Sequence, residues 1–485
     1  MNIIDKAVGL FNPKAAWERA MFRQGLEQLR NYNAAKVDRL QPWIPANASP
    51  EQTDGPHRDI LKARARDLER NSDMAEAAIS AITRNVVGTG IKPQAKVRNN
   101  DSSFNEEVND RLEELWGIWA RAENCDVTRL STFYELQEIM LRRRIVDGEV
   151  FCKKVTDKSS MIPFRVQGVE SDMLDSTLLQ SPNAKKPVVS GVEVDEFFRP
   201  LAYWFQRSTP DGFLSLDSQR VPAEQVIHLF KKTRFNQIRG ISELARVIPR
   251  MKETGEYLDA ELVAAKIAAS FALFVKKNNP GTMGRNFEVK DGKRVEHIAP
   301  GMIEYLQPGE DIATASPARG ATTVRDFIEI ETRLTGAGMG LSYEAISRDM
   351  SKTNYSSARQ NHLEDRKTWQ PMQEYLVNHF CQPIWEEFVK ACVLAGLIDL
   401  PGYWQDPEKY HECYWIAPGW TWIDPLKDVK ASREELDAGL NTLQEICAER
   451  GLDWQEVMEQ RAREQAYMEE LGLNKKGVDA SAKKG

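Results

Sequence analysis

At 485 residues and 55.2 kDa the chain is long enough for about two to four structural units. Hydrophobic residues at 41% and charged residues at 28% match a globular balance, which excludes wholesale disorder. The formal charge of -7, from 65 basic against 72 acidic side chains, excludes a surface that clamps nucleic acid all over, because such binding neutralises phosphate with a basic chain.

The longest apolar stretch, residues 263–275, contains Lys266 and falls short of the ~20 residues a membrane helix needs, so no membrane partner is expected. The first twenty residues lack a basic region followed by an unbroken apolar core and a small-residue cleavage site, which points to the cytoplasm of the producing cell. Cys125, Cys152, Cys381, Cys392, Cys413 and Cys447 are dispersed with no C-x-x-C pair and read as reduced, packed thiols.

In chain order, residues 1–60 crowd Pro42, Pro45, Pro50 and Pro56 into a short space and read as an extended arm. A helical pattern starts at Leu61, is re-capped near Asn71 to Asp73, and closes at Gly88 and Gly90. Ser103 with Glu106 has capping-box spacing ahead of the helical stripe Phe104, Val108, Leu112, Leu115 and Trp119; Thr132 with Glu135 opens another helix, which runs into Arg142, Arg143 and Arg144. From 148 to 232 the pattern is that of strands, turning at Pro182, Asn183, Gly191, Pro210, Asp211 and Gly212, and predicts a sheet resting on the preceding helices.

A long helix is predicted over 242–277, kinked at Pro249, and a Gly- and Pro-punctuated stretch with short strands separates it from a second helix that begins near Thr323 and breaks at Gly336, Gly338 and Gly340. A small β module is thus held between two helices able to run antiparallel. The polar segment that follows caps a very long helix, 356–395, interrupted at Pro371 and Pro383. The Trp-rich stretch after Gly396 reads as short strands and turns packed on the sheet. Two closing helices are capped by Ser432 with Glu435 and by Asp453 with Glu456, and the tail 474–485 reads as disordered. The fold class is α+β, mainly helical.

The chain carries no G-x-x-x-x-G-K-[ST] phosphate cradle, no H-E-x-x-H pair and no G-x-S-x-G elbow; Gly336-Ala337-Gly338-Met339-Gly340 follows a helix instead of a strand and reads as a hinge. His57, His228, His297, His362, His379 and His411 are scattered. The paired carboxylates Glu329 with Glu331 and Glu386 with Glu387 read as solvated helix faces, although nuclease metal ligands come from the same residue types. No catalytic residue, metal or cofactor is therefore assigned. Basic clusters at Arg142 to Arg144, at Lys231, Lys232 and Arg234, at Lys276 and Lys277, and at Lys290, Lys293 and Arg294 offer local places for phosphate contact on an acidic chain.

The strings RNSDMAEAAISAITRNVVGTGI (70–91), QGVESDML (167–174), VIHLFKKTRFNQIRGISELA (226–245), SYEAISRDMSKTNYSSAR (342–359) and PGWTWIDPLKDVKA (418–431) resemble the lambda-type family of tailed-bacteriophage portal proteins, over about residues 15–470 and in the family's order. The resemblance implies a head-tail connector subunit that assembles with about eleven others into a ring at one capsid vertex. It implies a wing over 61–240 behind the arm, a first stem helix over 241–277, a clip over 278–320, a second stem helix over 321–338, a tunnel loop over 339–356, a long helix completing the wing over 357–430, and a helical crown over 431–473.

On the tunnel loop, Arg348, Lys352, Asn354 and Tyr355 are then expected nearest double-stranded DNA, on a segment expected to be mobile and without a core to bury. On the clip, Lys290, Lys293 and Arg294 are expected to dock the terminase large subunit and later the head-completion or adaptor proteins. Capsid and scaffold proteins are the remaining implied partners, with assembly in the bacterial cytoplasm and residence in the virion. A ring of about twelve such chains would carry roughly -84, a field that discourages sticky phosphate binding. The alternative reading is a nucleic-acid-processing enzyme with an unrecognised metal site.

Overall fold

The computed structural model describes residues 47–178, 186–208, 214–270, 274–277, 288–290, 293–295, 310–313, 321–420 and 425–470. The chain divides into two compact units, 1–53 and 54–485; of the first, residues 47–53 are described, where the chain enters a helix. The expected arm up to residue 46 and the tail from 471 lie outside the described residues.

That helix, α1 (Pro50–Asn71), begins well before Leu61, so residues 50–60 are helical and not extended. Pro50 is its first residue, where a missing N–H is not needed, and α1 runs on through Pro56. Lys62 reaches Asp172 at 2.7 Å, and Arg66 reaches Asp147 at 2.7 Å and Asp172 at 2.6 Å. Ser72 then caps α2 (Asp73–Val86), accepting the Ala75 N–H. The cap of α3 (Glu106–Trp119) is Asn105 instead of Ser103, because the Asn105 carbonyl side chain takes the Val108 N–H while Ser103 is engaged in a turn with Asp101. The Thr132–Glu135 capping box is formed and opens α4 (Phe133–Asp147), which ends at Gly148 with φ +90°.

The expected sheet over 148–232 is two sheets. β2 (Glu149–Val155) pairs antiparallel with β3 (Arg165–Val169) and with β8 (Val226–Phe230). A second sheet runs in the order β4 (Val188–Val189), β5 (Val192–Val194), β6 (Pro200–Ser208), β7 (Leu214–Pro222). The three-stranded sheet is buried on both faces: Val150, Cys152, Val166, Ile227 and Leu229 join the helical core, whereas Phe151, Val169 and Val226 join a smaller core with Val192, Tyr203 and Phe205 of the second sheet. Double burial explains why VFC is an unbroken apolar run rather than an alternating one.

The helical core is built around Trp116, Trp119, Phe133, Trp385 and Phe388, whose ring centroids stand 4.9–5.7 Å apart in the pairs that touch Trp116 or Trp119. The Trp-rich stretch packs here. Its strand β13 (Cys413–Ile416) pairs with β1 (Lys92–Ala95) and lies in neither of the larger sheets, and Trp415 meets Trp116 and Trp385.

The predicted helix 242–277 resolves into three pieces: a 3-10 turn Glu243–Arg246 capped by Ser242, α5 (Ile248–Ser270), and β9 (Phe274–Lys277). Pro249 sits in the first turn of α5, where its missing N–H costs nothing. β9 pairs with β12 (Glu310–Ala313), and β10 (Glu288–Lys290) pairs with β11 (Lys293–Val295). α6 (Ala321–Met339) returns antiparallel to α5: Arg250 reaches Glu331 at 2.7 Å, and further along α5 Tyr257 meets Phe327 edge-on at 4.8 Å.

α6 does not break at Gly336. A Cβ there would stand 2.5 Å from the Leu341 carbonyl oxygen, and one on Gly338 would stand 2.5 Å from a Val247 methyl, so both glycines serve close packing inside an intact helix. The helix ends at Gly340, φ +73°, with the Leu341 N–H donating to the Gly336 carbonyl at 2.9 Å.

Beyond it come α7 (Tyr343–Ser347), α8 (Tyr355–Leu376), a π turn Val377–Cys381 and α9 (Gln382–Leu394). The helix passes through Pro371. The real interruption is the π turn, whose wider winding absorbs the clash that the Pro383 ring makes with the carbonyl four residues back. At the C-terminus three helices stand where two were expected: α10 (Pro425–Asp437), which contains Ser432 and is not capped by it, α11 (Leu443–Ala448), capped by Thr442, and α12 (Trp454–Glu470), entered at Asp453.

Candidate nucleic-acid interface

The connection from α6 to α8 is more structured than its polar composition implies. Leu341 and Ile346 are buried at 6% and 5% exposure and join the helical core, so its first half has a core to bury after all. Ser342 caps α7 by accepting the Ala345 N–H at 3.1 Å, and it also donates its own N–H and hydroxyl to the two Asp365 oxygens at 2.7 and 2.6 Å. Burial pushes the Asp365 carboxyl above the usual range, and the nearby Glu344 charge adds to it.

The four expected DNA-facing residues have different surroundings. Arg348 closes α7 in a left-handed conformation, φ +56°; its guanidinium is exposed and has no hydrogen bond or ion pair among the described residues. Lys352 is exposed but paired with Glu329 of α6, which also takes Arg333 at 2.9 Å. The Asn354 side chain is the cap of α8, accepting the Ser357 N–H at 2.9 Å. Tyr355 is the first residue of α8; its side chain lies outside the described ones. On the β10–β11 hairpin, Lys290 opposes Lys293 and Val289 opposes Arg294, so positions 293 and 294 belong to opposite faces of the ladder.

A cavity of about 390 Å³ lies between the end of α2, α7 and α8, lined among others by Arg84, Glu344, Arg348, Asn361, His362 and Asp365. Burial holds the His362 imidazole below its usual range, with Arg366 acting in the same direction. Arg84 is exposed and, like Arg348, unpaired among the described residues. Sequence reading missed it, and no local signal marks it, because the cavity joins positions more than 250 residues apart.

The Arg142 to Arg144 cluster is not a phosphate surface. Arg142 binds Glu69 at 2.6 Å and Glu76; Arg143 binds Glu69; Arg144 is buried against the Tyr375 ring at 4.3 Å and faces Glu243 at 3.2 Å. Glu243 also takes Lys231 at 3.0 Å. The paired carboxylates are likewise engaged with cations, Glu329 with Lys352 and Arg333, and Glu331 with Arg250. Among the described residues no three His, Cys, Asp or Glu side chains gather as a metal ion would require, and no helix is long and apolar enough to cross a membrane.

The family model for phage portal proteins of the lambda family matches residues 36–373. The chain belongs to the lambda family of phage portal proteins. The "Probable portal protein" of Halomonas phage phiHAP-1 is 26% identical over 424 residues, covering 86% of this portal chain and 82% of the relative. Portal protein B of Escherichia phage lambda is 23% identical over 506 aligned positions, 94% of each chain. Among solved structures, a chain from the virion of a native gene transfer agent particle superposes with a TM-score of 0.47 at 11% identity, over 81% of this chain and 99% of that one. This portal protein is accordingly a structural part of the phage capsid, at its portal vertex.

Proposed function

We propose that about twelve copies close into a ring whose axial channel passes double-stranded DNA into the capsid during packaging and out of it during ejection. The observation that carries the ring is the state of the antiparallel pair α5 and α6. Leu258, Leu262 and Val263 on one helix, and Phe327, Ile330 and Leu334 on the other, are 40–54% exposed. Six large apolar side chains on two adjoining helices form a surface that a monomer would rarely leave in water, and neighbouring copies cover it.

In this reading α5 and α6 are the stem and the strands between them, β9 to β12, belong to the clip, which docks the terminase large subunit and then the head-completion proteins. The basic residues Lys290, Lys293 and Arg294 supply part of that docking surface, and the exchange of one partner for another suits charged contacts. The connection 339–356 is the tunnel loop, with Arg348 as its free cation toward phosphate. The helices α10 to α12 form the crown. The protein acts as a conduit and platform, without catalysing a reaction, and joins capsid and scaffold proteins in the host cytoplasm.

Mass photometry and class averages of the purified full chain test this. Closed rings with a channel wide enough for duplex DNA are expected; a stable monomer or dimer across concentrations and salts overturns the reading.

A further inference from the structure

Two segments beside the strands present solvent-exposed phenylalanines: the tip that follows β5 in the four-stranded sheet, and the loop that follows β8 in the three-stranded sheet. After β5 the chain turns through Asp195-Glu196-Phe197-Phe198-Arg199. Asp195 organises this tip: its carboxylate accepts the N–H groups of Phe197 and Arg199, both at 2.9 Å, while its carbonyl takes the Phe198 N–H at 3.1 Å. The result pushes both rings outward. Phe197 is 81% exposed, and Phe198 is 44% exposed with a φ of +62°, a left-handed backbone that a bulky residue rarely adopts.

The other projection is the loop after β8. Thr233 donates its N–H to the Gln237 side-chain oxygen at 2.7 Å, and the Gln237 N–H donates to the Arg234 carbonyl at 3.1 Å, closing a turn with Phe235 at its apex, 96% exposed. Arg239 anchors the loop by donating to the Ser190 carbonyl at 2.6 Å, at the β4–β5 turn. Ser190 and Asp195 flank β5 on either side, so at most about five residues at ~3.3 Å each, roughly 16 Å, separate the anchor of the loop from the root of the tip.

The two projections differ in charge. In the tip Asp195 is paired with Arg199 at 3.2 Å, which leaves the Glu196 carboxylate, whereas residues 231–237 hold Lys231, Lys232 and Arg234 with no carboxylate, Lys231 being paired with Glu243 of the turn beyond. Resting on the ring reading above, we propose that the Phe197–Phe198 tip of one copy docks on the Phe235 loop of the next copy. A head-to-tail ring needs two different, complementary patches on each chain, displaced from one another, and these patches meet that requirement. Tip against tip would set Glu196 against Glu196, and loop against loop would set Lys232 against Lys232; the mixed pairing matches opposite charges and allows a lysine to sit over a phenylalanine ring.

The test mixes a full-length Glu196→Cys chain with a mass-tagged full-length Lys232→Cys chain, confirms rings by imaging, oxidises them and separates the products without reductant. A covalent dimer of mixed composition, absent from either variant alone, is expected. Rings that yield no mixed dimer, or that yield dimers of like chains, overturn the proposal while leaving the ring reading standing; wild-type chain that forms no ring overturns both. A second variant, Phe197→Ser with Phe198→Gly, alters only exposed rings and relieves the left-handed backbone, so its melting temperature should hold. The concentration at which it half-assembles should rise at least tenfold. Unchanged assembly of that folded variant overturns the proposal.

Discussion

Asp365 receives both hydrogens that Ser342 can give, the backbone N–H at 2.7 Å and the hydroxyl at 2.6 Å, from 23 positions away in the chain. The two bonds tie the start of α7 to the middle of α8. At the other end of the same connection Lys352 is tied to Glu329 of α6. A segment that composition alone describes as a loose polar loop is thus fastened at both ends, leaving Arg348 between the fastenings.

Asp365→Ala removes the acceptor for two donors and leaves the Ser342 N–H unpaired in a half-buried place. A loss of about 1–3 kcal/mol of stability is expected by denaturant titration. Amide exchange should accelerate at 341–347 more than at 360–376; equal acceleration of both would show that the carboxylate supports the helix and not the connection.

Glu113 supplies a pH dependence. Its carboxylate accepts the Ala95 N–H at 2.8 Å under β1, and burial, helped by Asp453 and Asp110, raises it from 4.5 to about 7. The folded chain therefore holds a proton that the unfolded chain releases above about pH 4.5, so this contribution is complete below that pH and is lost as the pH rises through about 7. Glu113→Gln keeps an acceptor for Ala95 and flattens the profile. Because the side chain is partly exposed, a gain of only about 1 kcal/mol over the parent is expected at pH 8, read by denaturation across the range.

The strand-bearing part hangs on a buried ion pair. Arg239 and Glu149 are both essentially inaccessible; the Glu149 oxygens also take the Gly240 N–H at 2.9 Å and lie 3.1 Å from His228 Nε2. Burial alone would raise the Glu149 carboxyl, but Arg239 and His228 outweigh it and hold it well below the usual range. Arg239→Met strands that charge and should cost about 3–5 kcal/mol, whereas Arg239→Met with Glu149→Leu should recover part of the loss. A double variant no more stable than the single would assign the cost to the Ser190 and Ser176 contacts of Arg239 instead.

Local chemistry was legible where it was local. The Thr132–Glu135 box, the Ser72 cap and the two helices flanking short strands follow from residues within one or two turns of each other. Misreadings arose where place within a helix or a distant residue decides. Pro50 opens α1, a position that suits proline, and Pro56 is carried inside the helix; Gly336 and Gly338 are small because Leu341 and Val247 press on them, not because the helix hinges. The arginine cluster at 142–144 looked like a phosphate surface because its acidic partners, Glu69, Glu76 and Glu243, lie far off in sequence. At the candidate site the same rule holds: the pairing of Lys352 and the link of Ser342 to Asp365 are tertiary facts that no local signal marks.

These surroundings divide the proposed DNA contact unequally. Arg348 already presents an unpaired guanidinium, so bringing it to a phosphate breaks no existing bond, and a charged contact made without such a cost is the more favourable one. Lys352 must first leave Glu329, and Asn354 must give up its helix cap, worth about 0.5–2 kcal/mol. Arg348→Ala is therefore expected to leave rings intact by imaging while lowering packaged or retained DNA, and Lys352→Ala alone to lower it less. The double variant should resemble Arg348→Ala more closely than the sum of the two, since only one of the cations is free in the parent. The measurement is DNA content per particle and phage yield for all three variants beside the parent. Full DNA content in Arg348→Ala particles would move the contact off this connection, and a larger loss in Lys352→Ala than in Arg348→Ala would mean that the Glu329 pair opens in the ring.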